Sequence, residues 1–97
     1  RRHLAMICNL SGESYLEMNE FNKAMHCFEK AYSLDRDKLF NDNIAKTFNR
    51  MGLECYDRQD YVKAAEHFRR AFLLDDKIEY QLSKEIVMKI YDDGGMS

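Results

Sequence analysis

The feature that most restricts this chain is a repeat of itself. A shift of 40 residues carries Gly12 onto Gly52, and with it Ala5 onto Ala45, Phe21 onto Tyr61, Lys23 onto Lys63 and Ala24 onto Ala64. The same shift lays Phe28 on Phe68, Lys30 on Arg70, Ala31 on Ala71, Leu34 on Leu74 and Asp35 on Asp75. Small and aromatic residues kept at matched spacing mark two copies of one supersecondary unit.

Composition says what that unit is made of. The 97 residues include no proline, and two of the four glycines are adjacent at Gly94 and Gly95. Only Gly12 and Gly52 therefore interrupt helical pattern in the body of the chain. With 45% hydrophobic and 33% charged residues, and Ala, Leu, Met, Glu, Lys and Arg recurring, the sequence predicts an all-α globular domain rather than a disordered one. In each copy the apolar residues return at three and four, as Ala24, Phe28, Ala31 and Leu34 or Ala64, Phe68, Ala71 and Leu74, which is a helix stripe. Upstream, Leu4, Ile7 or Cys8, Ser11 and Tyr15 trace a second stripe, separated from the first by the polar tract 17–20; residues 57–60 repeat that tract. Each unit reads as two antiparallel helices joined by a tight turn. Gly12 and Gly52 each cost a helix about 1 kcal/mol relative to alanine. Close packing of the second helix, lined by Ala24 or Ala64, is the expected compensation. Tyr15, Phe21, Phe28, Phe48, Tyr61, Phe68 and Phe72 fit the packing stripe and read as core.

These residues resemble the tetratricopeptide repeats. The family's run of Gly, a large residue three on, an aromatic, Ala, Phe or Tyr, and Ala appears as Gly12, Tyr15, Phe21, Ala24, Phe28, Ala31 and again as Gly52, Cys55, Tyr61, Ala64, Phe68, Ala71. The likeness covers roughly residues 5–76. Cys8 and Phe48 stand where the family has its leading tryptophan, Cys55 where it has a tyrosine, and Arg36 and Asp76 where it has a proline. The resemblance implies an all-α, right-handed α-solenoid of antiparallel helical hairpins with about five helices in a single domain, 1–97. Unit one would span about 5–38 and unit two about 39–78.

The period of 40 exceeds the family's usual ~34 residues, and the excess falls at 39–44, about one and a half helical turns. Leu39, Phe40, Ile44 and Phe48 keep helical spacing, which predicts that the first helix of unit two is lengthened at its N-terminus, with Asp37 as its cap. Residues 78–91 carry Tyr80, Leu82, Ile86, Val87, Ile90 and Tyr91 at three-to-four spacing. They predict a further helix, either a cap on the last hairpin or the first helix of a third unit.

Several classes of function are disfavoured. The net charge of −2 and interleaved signs leave no basic field for nucleic acid or an anionic membrane. No run has the length of a membrane span, and no apolar signal segment opens the chain. Cys8, Cys27 and Cys55 form no CxxC pair and cannot all pair within one chain, which points to a reducing, cytoplasmic or nuclear setting. His26 and Cys27 are neighbours pointing about 100° apart on a helix, and no pair of ligands stands at i, i+4. No cofactor, metal or catalytic group is expected.

By resemblance, the first helix of each unit lines a concave groove. Carried over by register, its positions are Met6, Asn9, Leu10, Glu13 and Leu16 in unit one, and Lys46, Asn49, Arg50, Leu53 and Tyr56 in unit two. Asn9 and Asn49 are amides able to hold a peptide backbone. Lys46 and Arg50, one turn apart, suit an acidic group or a C-terminal carboxylate. That pair resembles part of the carboxylate clamp that receives chaperone tails, although Asn9, Leu10 and Glu13 depart from the clamp's other residues. The reading is a protein–protein interaction module, an adaptor or scaffold that takes a partner peptide or helix. Its alternatives are a self-assembly element forming homo-oligomers through the terminal helix, and a regulatory appendage of an enzyme in a longer chain.

Overall fold

The computed structural model describes residues 1–74. They form four helices: α1 (Arg2–Glu17), α2 (Phe21–Leu34), α3 (Lys38–Asp57) and α4 (Tyr61–Leu74). The helix expected over 78–91 lies outside the described residues. Among the described residues there is no strand, and no helix is long and apolar enough to cross a membrane.

Helices α1 and α2 make one hairpin and α3 and α4 another, with α2 packed on α3. The turns explain why the helices stop where they do. Asn19 and Gln59 adopt φ of 60° and 66°, so each chain leaves its helix through the left-handed region. The Asn19 N–H then donates to the Leu16 carbonyl (3.0 Å) and the Glu20 N–H to that of Tyr15 (2.9 Å). The second turn copies this, with Gln59 donating to Tyr56 and Asp60 to Cys55, both at 2.9 Å. These paired bonds satisfy the last free carbonyls of α1 and α3 and fold the following helix back antiparallel.

The crossing inside each hairpin rests on a glycine and a phenylalanine. A Cβ built on Gly12 would lie 2.5 Å from the ring of Phe28, and one on Gly52 would lie 2.5 Å from the ring of Phe68. Both rings are completely buried. The glycines are thus tolerated in mid-helix because an aromatic face occupies the space a side chain would need. Ala24 and Ala64 are also fully buried, but the group seated on each glycine is the ring, where the sequence suggested the alanine.

Residues 39–44 lie inside α3. The Asp37 side chain accepts the Leu39 N–H at 2.9 Å and starts the helix. The Arg2 guanidinium, at the start of α1, donates to Asp35 (2.7 Å) and Asp37 (2.6 Å), tying the linker between hairpins back to the first helix. The Leu39 N–H, and secondarily Arg2, holds the Asp37 carboxyl below its usual range. The first turns of α3 serve three purposes. Phe40 is buried against Ala5 and Ala31 of the first hairpin, Asn41 donates to the Leu74 carbonyl at the end of α4 (3.2 Å), and Asn43 reaches across to α1.

Candidate functional site

The first helices of the two hairpins, α1 and α3, are joined by a buried polar contact. Asn43 donates through Nδ2 to Asn9 Oδ1 at 2.6 Å, and Thr47 donates to the Asn43 carbonyl at 2.8 Å. All three residues are buried, so the bonds meet the requirement that a buried amide be paired.

This arrangement changes the expected groove. Asn9, Leu16 and Asn49, expected on the open face, are all buried. Asn9 has its carbonyl oxygen committed to Asn43, and Leu16 belongs to the core with Ala24, Phe28 and Ile44. Glu13, Lys46, Arg50 and Leu10 are exposed, and Met6, Leu53 and Tyr56 are partly so. Leu53 and Tyr56 lean against Ala64 and Phe68, and the Tyr56 ring lies 5.4 Å from that of Tyr61. Arg50 donates to the Leu16 carbonyl at 3.3 Å. Its guanidinium therefore completes the C-terminal end of α1 while still presenting unused N–H groups. Met6, Leu10 and Glu13 on α1 and Lys46 and Arg50 on α3 keep exposed or partly exposed side chains.

Sequence reasoning missed a second concavity. Residues 19–23 of the first turn and of α2, Met51, Glu54 and Cys55 of α3 with Arg58 just past its end, and Lys63 of α4 line a cleft of about 620 Å³. Its residues come from four segments with no common spacing, so no linear motif announced it. Its cations are already balanced: Lys23 by Glu20 (3.4 Å), Arg58 by Glu54 (3.2 Å) and Lys63 by Asp60 (4.0 Å). Burial pushes the Cys55 thiol up, as it does that of Cys27, where neighbouring Cys8 adds to the effect. Thiols held protonated are poor nucleophiles. Among the described residues no group of three or more His, Cys, Asp or Glu side chains is placed to hold a metal ion.

Two antiparallel helical hairpins packed on one another through α2 and α3 have the architecture of helical-hairpin repeat proteins. Within that class, residues 5–38 match the family model of the tetratricopeptide repeat. No curated protein and no solved structure gives a significant match to the chain. Tetratricopeptide repeats in general mediate protein–protein interaction and are typically non-catalytic.

Proposed function

We propose that the chain is an interaction module, an adaptor or scaffold, whose face formed by α1 and α3 takes an acidic or carboxylate-bearing segment of another protein. The observation that carries this reading is the exposed pair Lys46 and Arg50, one turn apart on α3, with exposed Leu10 on the neighbouring first helix. Two cations on one helix face, with apolar surface beside them, suit a peptide that combines a carboxylate with a hydrophobic residue. Glu13, across the face, opposes a second acidic group and sets the direction in which such a peptide runs.

The test is a titration of the intact chain with a partner peptide recovered by pull-down, in wild type and in the Lys46→Ala/Arg50→Ala variant. The double change weakens binding by about 1–3 kcal/mol through lost charge-assisted hydrogen bonds, and the wild-type affinity falls as salt rises. Equal affinities for the two proteins would refute the assignment. Arg50 also holds the end of α1, so the single change Lys46→Ala provides a variant with fold intact.

A further inference from the structure

We propose that Cys8 on α1 and Cys27 on α2 form a dithiol site, which a low-molecular-weight disulfide oxidises to a cross-link within the first hairpin. The second hairpin supplies the template for their placement. A Cβ built on Gly12 would lie 2.5, 2.7 and 2.9 Å from Cε1, Cδ1 and Cζ of Phe28, and one on Gly52 would lie 2.5, 2.6 and 3.0 Å from the same atoms of Phe68. The two crossings therefore have one geometry. Cys8 stands one turn before Gly12 and Cys27 is next to Phe28, just as Phe48 stands one turn before Gly52 and His67 is next to Phe68. In the second hairpin those two side chains meet between the helices, with ring centroids 6.3 Å apart. In the first hairpin the same two positions hold thiols, and the proximity of Cys8 adds to burial in raising the Cys27 pKa.

The pair can also be reached. Both cysteines are half-buried, and Cys27 borders a pocket of about 410 Å³ that Tyr15, Asn22, Lys23 and His26 complete, large enough to admit a small molecule. The thiolate of one cysteine attacks a sulfur of the small disulfide and expels one small thiol. The thiolate of the other then attacks the protein sulfur of the mixed disulfide and expels the second. In sum, two protein thiols become one S–S bond, and their two electrons and two protons leave with the two small thiols. Because burial favours the protonated Cys27 thiol, the exchange is slow, which makes the site a staple set by sustained oxidation rather than a nucleophile for a substrate. Cys55 stays outside the pair: it occupies the position of Tyr15 in the other hairpin and lies against Ala64 and Phe68. A bond between positions 8 and 27, which are 27 − 8 = 19 apart, closes a loop in the unfolded chain and so favours the folded hairpin.

Incubating the dilute full chain with oxidised glutathione tests this. The three free thiols should fall to one, and peptide mapping without reductant should join the Cys8 and Cys27 peptides within a monomer. The melting temperature should rise by about 10 °C or more and return when dithiothreitol is added. Cys55→Ser should fall from two thiols to none with the same rise, while Cys8→Ser and Cys27→Ser should each show no rise; Cys8→Ala and Cys27→Ala supply apolar replacements should serine unfold the hairpin. A wild type that keeps all three thiols, one that ends with glutathione on both Cys8 and Cys27, or a bridge that uses Cys55 would overturn the proposal. None of these outcomes depends on Lys46 and Arg50, so the peptide-binding reading stands or falls separately.

Discussion

The two hairpins share one backbone plan and differ beside its crossing. In the second, Phe48 of α3 stacks on His67 of α4, with ring centroids 6.3 Å apart and planes 23° apart, and the Arg70 guanidinium lies 5.8 Å over Phe48. In the first, the equivalent positions are Cys8 and Cys27. The imidazole Nδ1 is buried with no hydrogen-bond partner, and burial, more than its charged neighbours, pulls the His67 pKa down. Burial moves the Cys27 thiol the opposite way, up, because each group avoids its charged form out of water. The seat of ring on glycine is common to both hairpins, while the flanking contact is free to vary. In the second hairpin that contact holds an imidazole whose neutral form the fold favours.

Four measurements break or sharpen this comparison. Phe28→Ala and Phe68→Ala each remove a fully buried ring and should cost about 3–5 kcal/mol in urea unfolding. Phe28 should be the dearer, since Ile44 of the second hairpin rests in the same core; a larger loss at Phe68 would reverse the ranking of the two cores. Gly12→Ala and Gly52→Ala push a Cβ into those rings. The overpacking, about 1–3 kcal/mol, is set against a helix-propensity gain near 1 kcal/mol, so both variants should melt lower and by similar amounts. A higher melting temperature in either would mean the ring is not seated on that glycine.

The third measurement is the pH dependence of stability. With its folded pKa held below the ordinary 6.5, His67 favours the fold when neutral. That contribution is complete above about pH 6.5 and is lost as pH falls from there toward the folded pKa, because only the unfolded chain takes up the proton. Melting temperatures recorded from pH 7.5 to 5 should fall, and His67→Gln should flatten the slope. An unchanged slope would place the acid sensitivity elsewhere. The smallest effect belongs to the turns. Gln59 holds a left-handed conformation that costs a side-chain-bearing residue about 1–2 kcal/mol, so Gln59→Gly should gain up to about 1 kcal/mol after the entropy of glycine is counted. Asn19→Gly should gain less, because asparagine tolerates that region; equal gains would remove the distinction between the turns.

The sequence by itself determined the local plan. Repeat spacing put Gly12 and Gly52 in first helices and the aromatic and alanine stripe in second ones, and the helical spacing of Leu39, Phe40, Ile44 and Phe48 matches residues that lie in α3. The cap at Asp37 was legible for the same reason: helix starts and periodicity depend on neighbours in the chain. Only the tertiary structure decided what meets across helices. It seated Phe28 rather than Ala24 on Gly12, gave Asn9 to Asn43, drew Arg50 toward the end of α1, buried Leu16 and Asn49, and gathered a cleft from four segments. Those outcomes depend on the angle and depth at which two hairpins pack. A periodicity reports which face of a helix turns inward, but it carries no information on which side chain of the opposing face arrives there.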